Sequence, residues 1–560
     1  MRSRAALLSL ALPAALLVAG PAAATTMCVP SFHPACPSSG GNVAVAQLQT
    51  ALQTDGDDTM PDRIVIAAGT VSHTDTYALE SGDNDDLEVV GAGPGATFVT
   101  ISDNGNQFVM NLNGARDVTM RDLTIRVPAS FPDGGGGGLQ SEQDTFENVD
   151  IESLNPGSDG ASSVIGGGTF RDGRIYGSNG GSIDVGIGTN GAETGSLLIE
   201  RTSIEDASWG IHAHDPEVAV HARRVAIRDP LAYGVRISEG GFLVFENGIV
   251  ESTTATPVVA ASTDAATVIA TVRHSTIVGI DPEPGDHAIE AVVNDGAGNG
   301  GVNLVVTDTI VSGYDDPLLC SAPSSPSIGN ASLSVTYSYF LHSAETGGDC
   351  TLFNANTIDA ADPQVGPPQF AGPGDYRLPL GSPAIDSGNP LTVTLPTVDF
   401  LGAPRPVDGD ADGEARRDMG AYEYQPPTQP PPGGGGGPGG GGPVKVGPAP
   451  AAKTPTFGAK PLVTLALARK RIGAGQRLKV RIANRNAFAI TGTVRGKRFQ
   501  VRAGGRATVA VKLSRRLRGR LVRDGKLALR LTAIVRSPAG DTRSVKRRLT
   551  VRLKLPAKKG

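Results

Sequence analysis

A six-residue pattern recurs along the first two-thirds of the chain, and it constrains the fold more tightly than any other feature. It reads apolar, charged, turn-type, two variable positions, aliphatic. The copies are Met120–Ile125, Phe146–Ile151, Phe170–Ile175, Ile199–Ile204, Ala222–Ile227, Phe245–Val250 and Val272–Ile277, with looser ones at Val305–Ile310 and Val335–Phe340. Their closing positions lie 23 to 33 residues apart. Repeats of that length suit single coils of a β-solenoid with loops of varying size. The windows carry short period-two alternation and no 3.6-residue period. One coil cannot bury its own apolar face. Stacked coils bury a continuous aliphatic column and pair every strand edge except the terminal ones.

The second position of the repeat reads Arg121, Glu147, Arg171, Glu200, Arg223, Glu246, Arg273. Neighbouring strands lie about 4.8 Å apart, so alternating sign places each outward charge between two opposite ones. Exposed pairs contribute only about 0–1 kcal/mol each, but like charges at that spacing repel; the ladder is expected to fix register. Upstream, Asn42 is placed to cap a short helix sharing Val45, Leu48 and Leu52 on one face, a plug for the open end of the solenoid. Ile64–Thr70 reads as the first strand. Gly91–Ala96 mimics a nucleotide-binding fingerprint but lacks the following βαβ unit, so it is read as a turn.

The capping helix, Ile64-Val-Ile-Ala-Ala-Gly-Thr70, Leu87-Glu-Val-Val-Gly-Ala-Gly93 and the coils together resemble right-handed parallel β-helix proteins of the pectate-lyase-like superfamily. Ser382-Pro-Ala-Ile-Asp-Ser-Gly388 and Arg417-Asp-Met-Gly-Ala-Tyr-Glu-Tyr424 resemble the end of the bacterial "choice-of-anchor" subgroup. The resemblance spans roughly residues 40 to 424. It implies an exported protein with a C-terminal attachment device. The expected fold is therefore all-β: a parallel β-helix over 25–424, including a closing motif at 376–424, then a flexible linker and a small antiparallel β-sandwich.

Charge divides the chain the same way. From Val444 to Gly560 there are 32 Lys and Arg against Asp524 and Asp541, a net of +30, while the remainder carries −36. Residues 425–455 are Pro/Gly-rich, extended at Pro426–Pro432 and flexible at Gly433–Gly442. Beyond them, 456–560 alternate Leu478, Val480, Ile482 with Lys479, Arg481, and Leu549, Val551, Leu553 with Thr550, Arg552, Lys554. This is an antiparallel-sandwich pattern, similar to Ig-like terminal modules, with a short basic helix at Ser514–Arg523. No recognition motif or aromatic groove points to nucleic acid. The expected partners are acidic polysaccharide or an anionic cell-wall polymer, with an anionic lipid surface or the acidic β-helix itself as alternatives.

Residues 1–24 read as a secretory signal: Arg2 and Arg4, an apolar run from Ala5 to Ala19, then Ala22-Ala23-Ala24. No later segment is long and apolar enough for a membrane span. The four cysteines are expected to pair locally, Cys28–Cys36 and Cys320–Cys350, as export permits.

Candidate chemistry sits on a further strand of each coil. With Leu139, Ile183, Ile211, Val235 and Ile289 inward, period two sends Gln140, Asp184, His212, Arg236 and Glu290 outward, followed by His214 and Ser238 on the same face. Trp209, the single Trp, borders that face. Asp184, His212, His214, Arg236 and Glu290 are the candidate catalytic set. In uronate β-elimination, Arg236 or a histidine serves as base, with Asp184 and Glu290 holding a metal or acting as acid. Glycoside hydrolysis instead needs two carboxylates about 5–9 Å apart. The two functional readings are a non-catalytic polysaccharide- or envelope-binding surface protein and an extracellular uronate lyase or glycoside hydrolase. Asp281, Glu283 and Asp286 form a second acidic cluster, read as a solvated loop. Asp408-Gly-Asp-Ala-Asp-Gly413 matches the first half of a calcium loop, which makes Asp408, Asp410, Asp412, Glu414 and Asp418 the candidate calcium ligands.

Overall fold

The computed structural model describes residues 26–426 and 463–553, apart from connecting segments of one to seven residues. The signal expectation at 1–24 and the Pro/Gly tract from 427 onward lie outside the described residues.

The repeat builds a parallel β-solenoid. Phe146 pairs with Met120 on one side and Phe170 on the other, Ile151 with Ile125 and Ile175, and the same register runs on through Ile199, Ala222, Phe245 and Val272. The two halves of the pattern form two ladders that share one 24-stranded sheet; the further strand of each coil forms a separate 11-stranded ladder. The first positions Met120, Phe146, Phe170, Ile199, Ala222, Phe245 and Val272 are all buried. Each buried Phe, Ile or Val in that column contributes about 1.5–3 kcal/mol relative to exposure.

Between the two halves the chain turns through a left-handed residue: Asp122, Asn148, Asp172, Arg201, Arg224, Asn247, His274, Asp308, Tyr337 and Asn356 all have φ between 46° and 60°. Asp and Asn tolerate this region best. The third, turn-type position of the repeat is thus a column of left-handed corners. The alternating charges are register neighbours throughout. Arg223 lies 2.8 Å from Glu200 and Arg273 lies 2.6 Å from Glu246; Arg171 pairs with Glu147, and Arg121 reaches back to Glu88 at 2.7 Å.

Two sequence expectations shift. Val272 pairs with Val306 and Ile277 with Val311, so that coil's copy runs Val306–Val311 rather than Val305–Ile310. Three consecutive aliphatics, Leu304-Val305-Val306, left the alternation ambiguous by one step, and one step exchanges the faces. The N-terminal helix spans Leu48–Thr54; Val43–Ala44 is instead a strand paired with Met27–Cys28. Val45, Leu48 and Leu52 nevertheless all enter the core.

The segment 376–424 does not stack as a further coil. It runs back along the column of left-handed corners and covers it as a lateral flap. Phe400 O accepts from Arg224 Nε at 3.0 Å, Val398 O from Asn247 Nδ2 at 2.7 Å, and Gly420 N donates to Asp308 O at 2.8 Å. Tyr376, Leu378, Ile385, Met419 and Ala421 pack on Ile249, Val278, Ile310 and Tyr339.

Residues 463–553 form a three-stranded and a five-stranded sheet, antiparallel except where Arg471–Ile472 joins its neighbour, with a helix at Arg515–Asp524. They enclose a separate apolar core including Leu478, Ile482, Val494, Leu521, Leu531 and Val551. The cysteines pair as expected, Cys28 with Cys36 and Cys320 with Cys350. Among the described residues no helix is long and apolar enough to cross a membrane.

Candidate functional site

The 11-stranded ladder presents its outward side chains in rows. His212 stands opposite Arg236, Arg236 opposite Val259, and Val259 opposite Glu290. His212 and Arg236 are therefore neighbours, as the alternation predicts. Glu290 is two strands from Arg236, about 10 Å. Asp184 lies elsewhere. It falls between the Ile183–Ala207 and Val185–Trp209 pairs, and Gly188 is the residue opposite His212. Four residues of strand, about 13 Å, separate Asp184 from that row. A shift of four keeps the face unchanged, so Ile183 and Ile187 satisfied the inward pattern equally well. Asp184 and Glu290 are four strands apart, about 19 Å along the stack, beyond the separation that either glycosidase geometry uses.

What gathers around His212 is aromatic and basic. The Trp209 ring meets His212 edge-on with centroids 4.6 Å apart, and Tyr233 stacks one coil along at 6.4 Å from Trp209. The Arg236 guanidinium lies 4.8 Å from the Trp209 centroid and 5.3 Å from that of Tyr233. Rings at these distances attract the cation through their quadrupole. Strict alternation would send Trp209 to the same side as Ile211. A column of glycines removes that constraint: Gly186, Gly210 and Gly234 stack, and a Cβ at Gly210 would lie 2.4 Å from Gly234 O and 2.7 Å from Ile227 Cγ2. The strand approaches the neighbouring ladder there, and the preceding aromatic emerges at the surface. The shared motif Trp209-Gly-Ile-His212 and Tyr233-Gly-Val-Arg236, 24 residues apart, is the signal that marks Tyr233 as part of the cluster.

His212 Nε2 lies 2.9 Å from Ser238 Oγ, and Ser238 is buried. Burial, reinforced by His214 and the Arg236 charge, pushes the His212 imidazole down to about 3. It is a neutral hydrogen-bonding group at physiological pH. The His214 ring is 5.1 Å from that of His212, and its Nδ1 is 3.9 Å from Glu239. Glu290 accepts from Thr256 Oγ1 at 3.2 Å, and burial raises its carboxyl above the usual range. The face thus offers a fixed cation, a neutral imidazole and two aromatic edges in a compact group, with Asp184 and Glu290 at a distance and Glu239 beside His214.

The five candidate calcium ligands are dispersed. Asp408 and Asp410 come together with Asp386, which arrives from another segment of the flap; ligand-capable atoms of these three lie within 4.8 Å of one another. Asp386 already accepts the amides of Gly409, Asp410 and Arg416. Asp412 caps the Glu414 amide, and Glu414 pairs with Arg416 at 2.6 Å. Asp418 is buried apart, accepting the Asp386 amide at 2.8 Å beside the Arg405–Glu423 ion pair, and burial holds its carboxyl well above the usual range. The sequence spacing could not find Asp386, which is more than 20 residues away along the chain. In the second acidic cluster, Asp286 accepts the Glu283 amide and Glu283 meets Arg520 of the basic module at 3.0 Å.

No known family model matches the chain, and no curated protein or solved structure matches it.

Proposed function

We propose that this is an exported surface protein whose aromatic-basic face binds an acidic extracellular polysaccharide without cleaving it, while the basic module tethers it to anionic envelope polymer. The observation that carries the reading is the Trp209–Tyr233–Arg236 cluster beside a neutral His212. Aromatic edges pack against the apolar faces of sugar rings, and a guanidinium held in place receives a carboxylate in its planar fork. The wide separation of Asp184 and Glu290 supports binding over hydrolysis. The two disulfides support an oxidising compartment. The flap motifs Ser382–Gly388 and Arg417–Tyr424 support placing the solenoid with the pectate-lyase-like right-handed β-helices of the choice-of-anchor kind, and the two-sheet sandwich supports an Ig-like terminal module.

The test is titration of the full chain with oligogalacturonate and oligoguluronate at low salt, with and without calcium, following both heat of binding and unsaturated-product absorbance. Binding that falls at least tenfold in Trp209→Ala and in Arg236→Ala, with no product formed, is the expected result. Product release that depends on Arg236 would replace this reading with a lyase.

A further inference from the structure

A strip of carboxylates runs along the solenoid where each second-ladder strand ends. Glu205, Arg228 and Glu251 are stacked register neighbours there, and the left-handed residues Asp206 and Asp229 follow the first two. Burial, with Glu251 and Asp206 adding to it, pushes the Asp229 carboxyl up to about 7, and Asp229 Oδ1 is enclosed with no hydrogen-bond partner among the described residues. Arg228 offsets only part of this excess of carboxylates, and a net-acidic stripe partly withdrawn from water attracts further cations.

The basic module supplies them. Its hairpin Ile490–Val494 and Lys497–Val501 turns at Arg495, and this tip faces the strip: Lys497 Nζ lies 3.6 Å from Asp206, while Arg520, on the module's helix, lies 3.0 Å from Glu283. Between the two parts is a cavity of about 850 Å³, with Asp206, Asp229 and Asp281 on one wall and Arg495 and Arg536 on the other. Two half-exposed ion pairs hold only weakly, since pairs of this kind contribute little and are screened by salt. A polymer with repeating anionic groups engages many of the module's cations at once and gains from multivalency.

We propose that the acidic strip is the resting partner of the basic module, and that an anionic polymer displaces it, so that attachment to the polymer releases the module from the solenoid. The inference rests on the tethering reading above. It gives the same cations two exclusive partners, one in the chain and one outside it.

The test is zero-length carbodiimide coupling of the full chain, reading the Lys497–Asp206 cross-linked peptide by mass spectrometry. Dextran sulfate is the competitor, because its sulfates do not react with the reagent, and neutral dextran is the control. The cross-link is expected in the chain alone, to fall about tenfold with saturating dextran sulfate, and to persist with neutral dextran. Asp206→Asn/Glu283→Gln should tighten dextran sulfate binding about threefold to tenfold. Asp75→Asn/Asp349→Asn, the same charge change on exposed carboxylates away from the strip and from the Trp209 face, should not. Absence of the cross-link in the chain alone overturns the resting contact and leaves the tethering reading standing. A cross-link that persists while dextran sulfate is bound overturns the exchange. If dextran sulfate does not bind either the wild type or the strip variant, the tethering reading fails, and the exchange fails with it.

Discussion

Replacing Arg405 by Met tests the lateral flap, the part of the structure that holds the column of left-handed corners in place. Arg405 is buried, with its Nε 2.7 Å from Glu423 Oε2, Nη1 2.9 Å from Asn247 Oδ1 and Nη2 3.0 Å from Gly420 O. Methionine fills similar volume but removes the charge and all three donors. The Glu423 carboxylate is then left buried without its hydrogen-bonded cation, and breaking a buried pair from one side costs about 3–5 kcal/mol. Burial already pushes Glu423 upward and Arg405 pulls it down, so the variant's Glu423 must rise further. A carboxyl whose folded pKa exceeds its unfolded value of about 4.3 destabilises the fold progressively as pH climbs from the lower value through the higher. The penalty should therefore be small at acid pH and full once Glu423 ionises. Adding Glu423→Gln removes the stranded charge, and the double variant should recover half or more of the loss. Native-state hydrogen exchange at the amides of Gly420 and Ala421, which donate to Asp308 O and Thr276 Oγ1, reads flap opening directly, while far-UV dichroism in urea reads the solenoid. A loss below about 1 kcal/mol at neutral pH, or a double variant less stable than the single one, would refute the reasoning.

Other outcomes follow from the same geometry. Cys320→Ser/Cys350→Ser opens a 30-residue loop and should cost about 3–4 kcal/mol in urea denaturation; a change under 1 kcal/mol would show that the last coils do not depend on the bridge. Glu200→Lys places a cation between Arg171 and Arg223 and strips Arg201 of one partner, so unfolding should become easier by about 1–3 kcal/mol; the further change Arg223→Glu should restore part of it. The folded His212 holds its proton only below about pH 3, against an unfolded value of about 6.5. Its contribution to stability is present above pH 6.5 and lost as pH falls toward 3. A His212→Gln variant should show a shallower acid limb in Tm against pH, and an unchanged limb would contradict this.

The coil was legible because stacking imposes the same demand on every repeat: an inward aliphatic, an outward charge opposed by the next, and a residue that tolerates a left-handed corner. Register errors arose where that demand is degenerate. Leu304-Val305-Val306 fits either step, and Ile183 and Ile187 share one face. Trp209 was visible as a border residue, but its exit beside Arg236 depends on how closely Gly210 approaches Gly234 and Ile227, a contact between coils that alternation does not encode. The calcium-like loop was legible in part: Asp408 and Asp410 come together, while Asp386, which joins them, and Asp418, which is held apart, are placed by the tertiary path of the flap. The acidic strip is not legible in the sequence because its members come from successive coils at positions outside the repeat.

The central claim, that the Trp209–Tyr233–Arg236 face is the polysaccharide site, has a built-in reporter, since Trp209 is the single tryptophan of the chain. Titration of the full chain with oligogalacturonate should change Trp209 emission with a saturable isotherm. The isotherm should be lost in Arg236→Ala, because the Arg236 guanidinium lies 4.8 Å from the Trp209 ring centroid. Saturable binding by calorimetry with Trp209 emission unmoved would place the sugar on another surface and contradict the account.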